Sequence, residues 1–147
     1  MKNYIKLLRI QQWYKNLLIY LPLIFGKQLF NVDSLLTVTL GFISLCFISS
    51  ANYIINDISD LKKDKLHPEK SKRPLASGKI TIKEAIFFAL LSLILSLIIA
   101  INLPFYFLLS VTSMFILTQL YSLYLKNILF IDVILIAINF VIRTISG

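Results

Sequence analysis

The sequence predicts an all-α membrane protein, a multi-span transmembrane helix bundle of about five spans, and three observations carry that prediction. Hydrophobic residues make up 58% of the 147 and charged residues only 15%, whereas a soluble domain is nearer a quarter charged. Uncharged residues also run in blocks too long for a globular core: 23 from Ser34 to Asn56 and 41 from Ala85 to Leu125. Finally, the basic residues are sorted along the chain. If the N-terminus is cytoplasmic, segments 1–16, 57–84 and 126–127 face the same side and hold 13 of the 15 Lys and Arg, the positive-inside pattern.

Each element follows in order. Residues 1–15 mix Lys2, Lys6, Arg9 and Lys15 with Trp13 and Tyr14. They read as a basic amphipathic approach to the membrane with aromatics at headgroup level, not as a cleavable signal peptide. Between Lys15 and Lys27 lie 11 uncharged residues including Pro22, either a short span continuing through Leu29 and Phe30 with Lys27 snorkelling, or an interfacial helix. A span takes roughly 20 apolar residues, so Ser34–Asn56 is one. The 41-residue block is two, hinged at Asn102-Leu103-Pro104. A fifth, Ile128 to Ser146, is interrupted by Asp132 and Arg143. The lone cysteine, Cys46, sits mid-span as a packing residue.

The net charge of +8 is a topology signal before it is anything else, and its distribution argues against nucleic acid. The chemistry lies in the polar stretch between the second and third spans. Asp57, Asp60 and Asp64 are spaced i, i+3, i+7, so a helix that continues past Asn56 stacks them along one face. Like charges at that spacing repel by a few tenths of a kcal/mol per pair. Lys62, Lys63 and Lys65 point mostly elsewhere, and a divalent cation would relieve the repulsion. Mg2+ suits best, since it takes one or two carboxylates and leaves positions for water and substrate phosphate. The plain alternative is a solvated acidic face capping a membrane helix. Against it stand Asn52 and Asn56, which extend the polar face into the span, and the basic cluster Lys70, Lys72 and Arg73 that follows. Acids that bind metal beside cations that bind phosphate suit a diphosphate.

Other polar residues are read both ways. His67, the only histidine, is a loop residue beside Pro68 or a phosphate donor. Tyr121 and Tyr124 are interfacial anchors or substrate contacts. Asp132, Asn139 and Arg143 fall within about 40° on a helical wheel. Such a stripe in an apolar helix turns inward, either as an Asp132–Arg143 pair or as the lining of an anion cavity.

Asn56-Asp57-x-x-Asp60-x-x-x-Asp64 followed by Lys72-Arg73-Pro74-Leu75-Ala76-Ser77-Gly78 resembles the first aspartate-rich motif of the UbiA superfamily of intramembrane prenyltransferases. Within it, Arg9 to Asn16, His67-Pro68, Tyr121 to Asn127 and Arg143 to Gly147 look most like the decaprenyl-phosphate phosphoribosyltransferase branch. The resemblance implies transfer of a 5-phosphoribosyl group from phosphoribosyl diphosphate to a polyprenyl phosphate lipid. It implies Mg2+ held by Asp57, Asp60 and Asp64, with Asn56, Lys72, Arg73, Tyr121, Lys126 and Arg143 as substrate contacts. The site would face the cytoplasm from the inner membrane, and a homo-oligomer is compatible with it. The family fold has roughly nine spans and a second polar motif. Residues 1–147 are therefore expected to be the N-terminal portion of one domain, inactive alone. An aromatic prenyltransferase, acting on a quinone or haem precursor, and a non-catalytic membrane subunit are the competing readings.

Overall fold

A computed structural model describes residues 1–125 and 131–147, the side chains of Leu125 and Asp132 excepted. The described residues form helices α1 (Lys2–Leu7), α2 (Leu21–Phe25), α3 (Val32–Ser59), α4 (Leu61–Leu66), α5 (Ile82–Ile101), α6 (Phe105–Leu120) and α7 (Ile131–Ile145), with no strand among them. Tight 3-10 turns run from Ile10 to Tyr20, and a π turn from Tyr121 to Leu125 extends α6.

α3 is the axis of the molecule. Its 28 residues span roughly 42 Å, longer than the hydrocarbon layer, so one end projects beyond it. Asn31 begins the helix by accepting a hydrogen bond from the Ser34 amide at 3.1 Å, the ordinary N-cap arrangement. α5 lies against α3 because of a stripe of small residues. Ala85, Ala89, Ser92, Ser96 and Ala100 recur every three or four positions and all are buried, which lets two backbones approach closely. At the crossing the Ser44 hydroxyl donates to the Ser96 carbonyl and the Ser96 hydroxyl to the Ser44 carbonyl, both at 2.9 Å. The opposite face of α5 presents Ile86, Phe87, Leu90, Ile94 and Ile98 outward, as a helix facing lipid does.

Two apolar cores result. One joins Ile19 and Leu23 to Val38, Leu45 and Ile48 of α3 and to Phe107, Val111 and Met114 of α6. The other, at the far end of α3, joins Leu7, Ile54, Leu75, Ile80, Ala85 and Ala89. It anchors the polar loop and the N-terminal helix on the same end of the bundle. There α5 starts with a reciprocal cap: the Glu84 amide donates to Thr81 Oγ1 and the Thr81 amide to Glu84 Oε2, an arrangement that satisfies two otherwise orphaned donors.

Among the described residues, three elements are long and apolar enough to cross a membrane: Val32–Ser59, Ile82–Ile101 and Phe105–Tyr124. The all-α fold holds, but the count of about five is not reached among the described residues. Residues 10–25 run as 3-10 turns and the short α2, packed on α3, and α7 has 15 residues, roughly 22 Å of helix.

Candidate functional site

The expected continuous acidic helix is broken. α3 ends at Ser59, Asp60 takes φ −93° and ψ 4°, and α4 restarts at Leu61. Asp57 and Asp64 nonetheless meet. The Arg73 Nη1 donates to Asp57 Oδ1 at 3.0 Å and to Asp64 Oδ2 at 2.6 Å. Both aspartates are buried, 3% and 2% exposed. A second guanidinium completes the cluster: Arg9 Nη2 reaches Asp57 Oδ1 at 2.5 Å. Two cations balance two carboxylates, as burial of charge requires.

Arg9 is placed by an uncommon backbone. It adopts φ 49° and ψ 44°, the left-handed region, at the junction of α1 and the 3-10 turns. Side chains with a Cβ rarely stay there without compensation. The ion pair to Asp57 and the stacking of its guanidinium over the Tyr53 ring, 4.6 Å to the centroid, supply it.

The three-carboxylate magnesium site expected from spacing has no direct counterpart. No group of three His, Cys, Asp or Glu side chains able to hold a metal occurs among the described residues. What the structure does offer is narrower: two buried carboxylate oxygens from Asp57 and Asp64 converge on one cationic nitrogen. Magnesium needs only one or two protein carboxylates, so this donor pair fits it, with the Arg73 nitrogen marking where positive charge is held.

Beside the cluster opens a cavity of about 260 Å³, bounded by α3, α6 with its π turn, α7 and the N-terminal segment. It brings together Asn52, Asn56, Tyr121, Asn139 and Arg143, all singled out in the sequence, and adds Arg9, Lys15 and Tyr53. Its described lining includes three cations, Arg9, Lys15 and Arg143, and no acid. Asn56 is held by the Ser122 hydroxyl at 2.7 Å, and Asn52 by the Gln119 amide at 2.7 Å. These two bonds dock the end of α6 on α3.

Arg143 is buried and donates from Nε to Asn16 Oδ1 at 2.8 Å. The pairing partner is thus an amide from the N-terminal segment; Asp132's side chain lies outside the description. Asn16 also meets Ser49 and Cys46 of α3, so one buried amide ties three parts of the chain.

Lys72 is exposed and pairs with Glu69 at 3.1 Å. Lys126 lies outside the described residues. The His67 Nδ1 accepts from the Glu69 and Lys70 amides at 3.2 and 3.4 Å, so it shapes its own loop. Asn16 and Arg9 were missed as site residues because their partners lie 30 to 127 positions away, and Lys15 because the cavity it lines is formed by distant elements. The signal that could have found them was the cluster of cations and amides in an otherwise membrane-seeking N-terminus.

A family model described as the UbiA prenyltransferase family matches residues 20–147. The decaprenyl-phosphate phosphoribosyltransferase of Corynebacterium glutamicum is 34% identical over 97% of this chain and 44% of its own length. Its counterpart in Mycolicibacterium smegmatis is also 34% identical, over 97% of this chain and 46% of its own. Among solved structures, a UbiA homolog from Archaeoglobus fulgidus bound to DMAPP and Mg2+ superposes with a TM-score of 0.83. It is 30% identical and is covered over 53% of its length by 99% of this chain. The chain spans less than half the length of these two curated relatives.

Proposed function

From the premise that this chain belongs to the UbiA prenyltransferase family, we propose that it forms part of an intramembrane, magnesium-dependent transferase. The reaction moves a 5-phosphoribosyl group from phosphoribosyl diphosphate to a polyprenyl phosphate. The observation that carries this reading is the pair of buried carboxylates, Asp57 and Asp64, bridged by Arg73 and joined through Arg9 to a cavity lined by further cations. Two relatives named as phosphoribosyltransferases support the donor.

In the reaction an oxygen of the lipid phosphate bonds to the anomeric carbon of the ribose. The bond from that carbon to the diphosphate oxygen breaks, and the electron pair leaves with diphosphate. Asp57 and Asp64 would hold magnesium, with Asp60 beside them at the helix break. When bound, the ion neutralises charge building on the leaving group. Arg9 pairs with Asp57 and Arg73 with both carboxylates, and the two guanidiniums add donors where the diphosphate arrives. Lys15 and Arg143 make the cavity attractive to a second anion, the lipid phosphate, and Asn56 and Tyr121 position the ligand at its mouth. On this reading residues 1–147 supply the N-terminal share of one membrane domain. The acidic end faces the cytoplasm of the inner membrane, and transfer needs the second polar motif of the family.

A prenyl diphosphate donor is the second reading, favoured by the A. fulgidus relative bound to DMAPP and Mg2+. Incubating membranes that contain the complete protein with each labelled donor separates the two. We expect diphosphate release and a lipid-linked phosphoribosyl product from phosphoribosyl diphosphate, abolished in Asp60→Asn and Asp64→Asn variants. Undiminished product in those variants removes the catalytic role of the cluster, and turnover of the prenyl donor alone selects the second reading.

A further inference from the structure

We propose that Asn52 and Asn139 are a hydroxyl-reading pair that makes the cavity select a sugar diphosphate over a prenyl diphosphate. The inference rests on the transferase reading and names the residues that would set its donor class.

Both side chains line the cavity, one from α3 and one from α7. Each carries one buried polar atom with no hydrogen-bond partner among the described residues: Nδ2 of Asn52 and Oδ1 of Asn139. Their other polar atoms are engaged. Asn52 Oδ1 accepts from Gln119 Nε2 at 2.7 Å, and Asn139 Nδ2 donates to the Leu135 carbonyl at 2.9 Å. The second bond fixes the Asn139 amide, because a carbonyl acceptor demands the NH2 side. For Asn52, reversing both amides together would still leave one polar atom unmet. Buried polar atoms without partners are rare in native proteins and point to a ligand or ordered water.

As placed, the unmet pair is one donor and one acceptor; with the Asn52 and Gln119 amides reversed it is two acceptors, which two hydroxyls also satisfy. A hydroxyl both donates and accepts, so a ribose, with adjacent hydroxyls, satisfies both atoms. A prenyl chain satisfies neither. The depth also suits a sugar. Asn52 precedes Asp57 by five residues, roughly 7.5 Å along the helix axis, about one ribose ring beyond a diphosphate held at the carboxylates. Ser49 and Thr118 add hydroxyls to the same lining, and Met114, Leu135, Ile136 and Phe140 complete it with apolar side chains. Sites that leave buried polar groups unmet can reject an analogue lacking the hydroxyl by up to about 10⁴-fold or more.

The test is calorimetric titration of the full chain in lipid nanodiscs with magnesium present. The ligands are phosphoribosyl diphosphate, its 2-deoxy analogue, dimethylallyl diphosphate and inorganic pyrophosphate. The proteins are wild type, Asn52→Leu and Asn139→Leu. We expect each leucine variant to bind phosphoribosyl diphosphate at least tenfold more weakly while binding pyrophosphate within about twofold of wild type. The wild type, which needs no substitution and so no concern over folding, should bind the 2-deoxy analogue at least tenfold more weakly than the parent. Equal weakening of all ligands in the variants, or no discrimination by wild type against the deoxy analogue, overturns the proposal. Failure of wild type to bind pyrophosphate with magnesium overturns the transferase reading and this proposal with it.

Discussion

Arg73 shows how a single side chain joins the fold to its chemistry. Its guanidinium holds two aspartates that sit seven positions apart and are almost inaccessible to water. Removing one partner of a buried charge group costs roughly 3–5 kcal/mol, and with Arg73 about a quarter exposed the loss should be near the lower end. Arg73→Gln is therefore expected to lower the thermal unfolding midpoint by several degrees. If a divalent ion can take the place of that nitrogen, millimolar magnesium should recover more stability in Arg73→Gln than in wild type, as a thermal-shift series would read. Equal shifts in both proteins would contradict the convergence of the two carboxylates on a cation site. The i, i+3, i+7 spacing made these aspartates visible in the sequence. The identity of their counter-cations was not visible, because Arg9 is 48 residues from Asp57, and the left-handed backbone that turns it inward has no glycine to announce it.

Among the elements, the α3–α5 pair determines where everything else sits. The small-residue stripe on α5 could be read from sequence only once its partner was known, since in an apolar run of this length every face looks alike by hydropathy. The reciprocal Ser44–Ser96 hydrogen bonds lie in the middle of the contact and are inaccessible to water. Interhelical hydrogen bonds in membranes contribute about 0.6 kcal/mol on average. Ser96→Ala should therefore be tolerated, costing about that amount. Ser96→Leu should separate the helices and lower detergent-solubilised yield and thermal midpoint sharply, as size-exclusion chromatography after heating would show. A leucine variant as stable as wild type would mean that α5 does not pack through this face. The break at Asp60 was hidden for a different reason. Residues 57–66 contain neither Pro nor Gly, so nothing local marks the helix end, which is imposed by the loop that follows and by docking of Leu75 and Ile80 in the second core.

For the molecule as a whole, hydropathy located the three long spans well, because length and charge exclusion are properties of the sequence itself. At the N-terminus it left a short span and an interfacial helix both open. There Ile19 and Leu23 are buried against α3 and α6, while Tyr14, Leu17, Ile24 and Phe25 stay exposed, and the segment runs as 3-10 turns and a short helix. The polar stripe Asn139–Arg143 was correctly turned inward, but toward Asn16 and a cavity that forms only when α3, α6, α7 and the N-terminal segment come together. Cavities of that kind belong to tertiary structure and leave little trace in a periodicity.

The central claim is that the acidic end of α3 with the cavity beside it receives a diphosphate through magnesium. It is tested most directly by the affinity of this chain for phosphoribosyl diphosphate with and without magnesium, in wild type and in an Asp57→Asn/Asp64→Asn double variant that folds. The prediction is binding that requires magnesium in wild type and weakens at least 100-fold in the double variant. Magnesium-independent binding, or equal affinity in the two proteins, would contradict it.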